Sequence, residues 1–175
     1  MQPKDIIQRF DLFLEREGKK FSAVVVGAAA LNIMGVIKRQ TVDFDILEPI
    51  LSPEIQELAA TFRKKLSLEG FELEADWINN GPYQLQKLLP KGWEKRTQNI
   101  FVGKAIKLLT LERSDLIRTK LFGYCNRYVD IGDLIALKPS SDELEKAAHW
   151  VADQKGGADW KEWVNDRLRY LLERI

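Results

Sequence analysis

With 175 residues, 45% of them hydrophobic and 30% charged, and a formal net charge of +1, the chain can bury the core of one ordinary domain, and its charge balance excludes a global attraction to polyanions. A single cysteine, Cys125, excludes an intramolecular disulfide and a cysteine zinc cluster, and a single histidine, His149, leaves little for chemistry built on paired histidines. The start, Met1-Gln2-Pro3-Lys4-Asp5, lacks a signal pattern, and the most apolar stretch, Ala23 to Ile37, is too short for a bilayer, so a soluble, cytoplasmic protein with no membrane partner is expected.

Ile6, Ile7, Phe10, Phe13 and Leu14 recur at helical spacing before Gly18, which predicts a first helix from about Pro3 to Glu17. Phe21 to Val26 is a continuous, largely β-branched run, the pattern of a strand buried on both faces. Gly27 ends it, Ala28 to Met34 favours a short helix, and a second strand is predicted from about Thr41 to Glu48. Ser52-Pro53-Glu54 combines a capping serine, a proline at the first helical position and an early acid, so a helix with a stripe of Ile55, Leu58, Ala59, Phe62 and Leu66 follows until Gly70.

Phe71 to Ile78 alternates in part and predicts a third strand, closed by the turn Asn79-Asn80-Gly81-Pro82. Two short strands are predicted around Gly103 between Gln98 and Leu111, then a helix capped by Ser114 and a shorter one from about Val129 to Leu137. Ser140 and Glu143 form a capping box for a helix to about Gln154, and after Gly156-Gly157 a last helix is expected to be capped by Asp159 with Glu162. These elements predict an α+β protein: a small mixed β-sheet with flanking helices plus C-terminal helices, divided into a core over residues 1–111 and a helical part over residues 112–175 packed on that core.

The chemistry concentrates at Thr41-Val42-Asp43-Phe44-Asp45-Ile46-Leu47. Side chains alternate along a strand, so Asp43 and Asp45 are expected about 7 Å apart on one face while Val42, Phe44 and Ile46 face the core. Two such carboxylates can share a hard cation, and Mg²⁺ (or Mn²⁺) favours carboxylate and phosphate oxygen. The bland alternative is a solvated strand face.

The string Gly27-Ala28-x-Ala30-Leu31 followed by Arg39-x-Thr41-x-Asp43-x-Asp45 resembles the nucleotidyltransferase superfamily with the DNA polymerase β-like fold, and within it most nearly the AbiEii-type abortive-infection toxins and related bacterial domains. A second block, with Lys120 and then Arg127-x-x-Asp130-x-x-Asp133, matches the toxin group in order and spacing. The likeness covers roughly residues 20 to 50 and 105 to 137.

It implies an enzyme that moves a nucleoside monophosphate from a nucleoside triphosphate to a hydroxyl on RNA or protein, and a possible antitoxin partner. Asp43 and Asp45 would hold metal, Gly27, Ala28, Arg39, Thr41 and Lys120 would meet the nucleotide, and Asp133 would accept a proton or orient Lys120 if its helix folds over the Asp43 strand. Lys120 is read as a mobile cation or as part of a solvated face. Asp76, with Glu74 and Glu72 as rivals, is taken as the third metal-binding acid from its predicted strand alone.

Ala28 departs from the Gly-Ser version of the pattern and lacks its hydroxyl, leaving only backbone N–H groups there. That departure keeps two rivals open: an inactive module of the same fold that binds nucleotide, RNA or a protein, and an interaction protein whose acids are merely exposed. Between Gln84 and Arg127 ten basic residues face three acidic ones, and Lys91, Trp93, Lys95 and Arg96 interleave charge with an aromatic ring suited to stacking on RNA.

Overall fold

The computed structural model describes residues 1–127 and 131–175, which separate into two units, Met1–Leu111 and Glu112–Ile175. In the first unit, helix α1 (Pro3–Arg16) leads to strand β1 (Phe21–Val26), helix α2 (Gly27–Ile33), strand β2 (Phe44–Glu48) and helix α3 (Pro53–Leu68). Strands β3 (Ile78–Asn79), β4 (Gln98–Val102) and β5 (Ile106–Thr110) complete a sheet of order β3-β2-β1-β5-β4. It is mixed as expected, with β1/β5 and β2/β3 parallel, β1/β2 and β4/β5 antiparallel.

β1 is central because Phe21, Ala23, Val24, Val25 and Val26 are all buried, and such a run needs neighbours on both sides. α1 and α3 bury their stripes on one another and on the sheet, where Phe10, Phe13, Phe62 and Trp77 form a ring cluster with centroids 5.0 to 6.2 Å apart. Truncating a fully buried member such as Phe10 costs about 3 to 5 kcal/mol in lost transfer energy and cavity. Trp77 also donates its indole N–H to the Ala59 carbonyl at 3.3 Å, so its polar tip is satisfied. Ser52 caps α3 by accepting the Ile55 amide at 3.2 Å.

Asp11 lies on the buried stripe of α1 although it is charged. Its carboxylate accepts the backbone N–H groups of Lys104, Ala105 and Ile106 at 3.1, 2.8 and 2.7 Å, closing the turn between β4 and β5. Gly103 is required beside it, since a Cβ there would collide with the same carboxylate. Asn80 serves the end of β2 similarly, giving N–H bonds to the Ile46 and Pro49 carbonyls and accepting the Leu51 amide.

One predicted strand is corrected. Phe71 to Trp77 is irregular and β3 has only two residues, because of the apolar alternating set Phe71, Leu73, Ala75 and Trp77 only Leu73 and Trp77 are buried, while Phe71 is 40% exposed and Ala75 lies in a turn. The predicted second strand also starts later, at Phe44.

The second unit contains α4 (Arg113–Arg127), α5 (Ile131–Ala136), α6 (Ser141–Ala152) and α7 (Ala158–Leu172). The capping box of α6 forms as the sequence predicts, with Ser140 and Glu143 exchanging bonds of 2.9 and 3.2 Å. Two other caps do not: Ser114 lies inside the first turn of α4, bonded to Glu112, and α7 is preceded by Gly157 at φ 105° with Asp159 already helical. Trp160 and Trp163 donate to the carbonyls of Val151 and Cys125, and Trp150 meets Phe122 edge to face, so the tail tryptophans serve helix packing.

Arg113 binds Glu143 through two nitrogens and also donates to the carbonyls of Leu137 and Lys138, tying the start of α4 to the link before α6. The guanidinium and the Ser140 amide hold the Glu143 carboxyl down at about 2. Burial pushes the Cys125 thiol up to about 12.

Candidate functional site

β1 pairs with β2 so that Val26 stands opposite Asp45, and the next residue, Gly27, begins α2. Gly27 has φ +76°, a left-handed conformation, and a Cβ built on it would come within 2.6 Å of the Asp45 Oδ2. The backbone sign demands glycine here, and a Cβ would in addition have to displace the Asp45 carboxylate oxygen. Asp45 is half-buried, whereas Asp43 is exposed and immediately precedes β2. Phe44 and Ile46 are fully buried and Val42 packs on the core, so burial alternates as predicted.

The segment leading to Asp43 is irregular but tied. The Thr41 hydroxyl accepts the Asp43 amide at 3.3 Å, and the Arg39 carbonyl accepts from the Asn32 side chain at 3.1 Å. Arg39 itself is on the surface, and Ala28 is half-buried in the first turn of α2.

Parallel pairing of β2 with β3 puts Asn79, an amide, next to Asp45. Its Oδ1 accepts the Gly81 amide at 2.7 Å and its Nδ2 donates to the Asp76 carbonyl at 3.3 Å, so it is spent on the local turn. Asp76 sits in that exposed turn and not on the strand that the sequence predicts for it. Among the described residues no three His, Cys, Asp or Glu side chains group closely enough to hold a metal ion. At the far end of β2, burial and the neighbouring Glu94 raise the pKa of Glu48 above the usual carboxylate range.

In the helical unit, Lys120 on α4 donates from Nζ to the Asp133 Oδ2 on α5 at 2.9 Å, with side chains 7% and 4% exposed. The expectation of a mobile cation or a solvated face is corrected by this burial: the ammonium is fixed by a carboxylate. One turn earlier, Arg118 bonds a fully buried Asp115 at 2.7 Å. Asp130 of the Arg127-x-x-Asp130-x-x-Asp133 block lies outside the described residues.

A family model described as nucleotidyltransferase of unknown function (DUF6036) matches residues 4–145. The chain belongs to that family. No curated protein and no solved structure matches it significantly. The DUF6036 match spans Gly27, the two aspartates, Lys120 and Asp133, and stops within α6.

Two features of this DUF6036 member differ from sequence expectation or escaped it. Trp93 is 3% exposed and cannot stack on a base, and Arg96 donates to the Lys91 and Pro90 carbonyls, so these two side chains serve the local structure while Lys91 and Lys95 are exposed. Asn32, the lone polar side chain between Ala23 and Met34, ties the Arg39 carbonyl; a polar residue in an apolar run needs partners, which is the signal the sequence carries for it.

Proposed function

We propose that this DUF6036 nucleotidyltransferase moves a nucleoside monophosphate from a nucleoside triphosphate to a hydroxyl acceptor on RNA or protein, with Asp43 and Asp45 binding Mg²⁺. The observation that carries the reading is the Asp45 carboxylate lying over Gly27 at the strand-to-helix turn, two residues from Asp43 on the same alternation. Two carboxylates suit Mg²⁺, which usually keeps water and completes its shell from substrate phosphates. When bound, Mg²⁺ would neutralise phosphate charge in the displacement.

The protein's own contribution is positional. Gly27 leaves room for Asp45, and the hydroxyl of Thr41 restrains the Asp43 backbone. Because Ala28 offers no hydroxyl, the phosphate would be met at the turn by backbone N–H groups, with Arg39 as the neighbouring cation. Lys120 and Asp133 function as one ion pair in the helical unit, so loss of either tests both. A toxin role with a cognate antitoxin rests on the resemblance of the two sequence blocks to AbiEii-type proteins.

A second reading, a module that binds nucleotide without turnover, draws on the lack of a third grouped acid among the described residues. Incubation of the protein and of Asp43→Asn/Asp45→Asn with each radiolabelled triphosphate and an RNA and protein pool separates the two. Label transfer by the parent alone supports the enzyme; tight triphosphate binding by calorimetry with no transferred label supports the module.

A further inference from the structure

Asn32 is half-buried near the end of α2. A carboxamide nitrogen carries two N–H donors, and taking them from water costs free energy unless both find oxygen. Both do: Nδ2 donates to the Arg39 carbonyl at 3.1 Å and to the Gln2 side-chain carbonyl at 3.2 Å. The first bond pins the irregular segment between α2 and β2, and two residues beyond Arg39 the Thr41 hydroxyl takes the Asp43 amide. α2 thus gauges both acids. Its first residue sets how the Asp45 carboxylate can lie, and Asn32 near its other end fixes the chain that delivers Asp43.

We infer that Asn32 is a positioning residue for the cation site, its carboxamide holding the Arg39 carbonyl so that Asp43 keeps its place relative to Asp45. The inference rests on the reading of Asp43 and Asp45 as cation ligands. Asn32 acts through backbone at one remove. Its removal should therefore loosen Asp43 without disturbing the core, and alanine, a better helix former, should leave α2 intact. Gln2→Ala breaks the other arm of the carboxamide and the Gln2 side-chain arm of the α1 capping box but leaves the bond to the Arg39 carbonyl in place, and serves as the control.

The test measures Mn²⁺ affinity by electron paramagnetic resonance and amide hydrogen exchange across residues 37–43 in the parent protein, Asn32→Ala and Gln2→Ala. Asn32→Ala should weaken Mn²⁺ about tenfold, the scale on which second-sphere partners act, and speed exchange at the Asp43 amide, with the thermal midpoint nearly unchanged. Gln2→Ala should match the parent in both. Parent-like Mn²⁺ affinity in Asn32→Ala overturns the inference, as does unchanged exchange at Asp43. A parent protein that binds no Mn²⁺ overturns the cation reading, and with it the role assigned to Asn32, while faster exchange at Asp43 in Asn32→Ala would still establish the tether.

Discussion

Lys120 and Asp133 form a buried ion pair, 2.9 Å between Nζ and Oδ2, that joins α4 to α5. Breaking such a pair from one side leaves a charge without its main partner in a dry setting, so Lys120→Ala or Asp133→Ala should each destabilise the protein by about 3 to 5 kcal/mol. Replacing both by apolar residues of similar size, Lys120→Met with Asp133→Leu, should restore most of that loss. Urea unfolding of the three variants checks the cycle; a double variant as unstable as the sum of the singles would contradict it.

Gly27 is constrained by its φ of +76° and by Asp45. Gly27→Ala should cost about 1 to 3 kcal/mol through backbone strain. It should also push the Asp45 carboxylate aside and abolish Mn²⁺ binding, an effect to be compared with Gly35→Ala, where φ is also +76° but a Cβ meets open space. Equal losses of Mn²⁺ affinity in the two variants would show that strain alone is at work.

Asp11→Ala removes the acceptor of three backbone N–H groups in the β4–β5 turn. With charge-assisted bonds lost and buried donors stranded, a destabilisation of about 3 kcal/mol or more is expected. Hydrogen exchange should accelerate at Lys104, Ala105 and Ile106 before the rest of the sheet, and uniform acceleration would argue against a local cap.

Acid sensitivity should be traceable to Glu143. Its folded carboxyl titrates at about 2 against an ordinary 4.5, so its stabilising contribution is complete above about 4.5 and vanishes as the pH falls through about 2. The Arg113 side chain is 49% exposed, and solvent screening limits the gain at neutral pH to about 1 kcal/mol. The stability difference between the parent and Glu143→Gln should shrink as pH falls from 5 toward 2, and a constant difference would refute the assignment.

Local patterns made much of the first unit legible. The valines of β1, the turn at Gly27 and the Ser52-Pro53 cap all act within a few residues, so their elements fall where the sequence places them. Phe71 to Trp77 misleads because alternation alone does not supply a strand partner; there the chain turns at Ala75-Asp76 instead. Lys120 is misread for a different reason: its environment is set by Asp133 on another helix, and helical periodicity carries no record of that. Trp93 likewise reads as a ligand platform among its lysines, whereas a large ring next to a short helix was taken into the interior.

The placement of β1 has a consequence for synthesis on the ribosome. One flank of this strand is filled by β2 soon afterwards, but its parallel neighbour is β5, whose Thr110 hydroxyl reaches back to the Val25 carbonyl at 2.7 Å. Until Thr110 has left the exit tunnel, the nascent sheet carries a bare, strongly apolar edge at its middle, and Asp11 waits without its amides. Completion of this unit must therefore wait until the β5 segment has emerged, and the interval before that is when a nascent-chain chaperone has the most to shield.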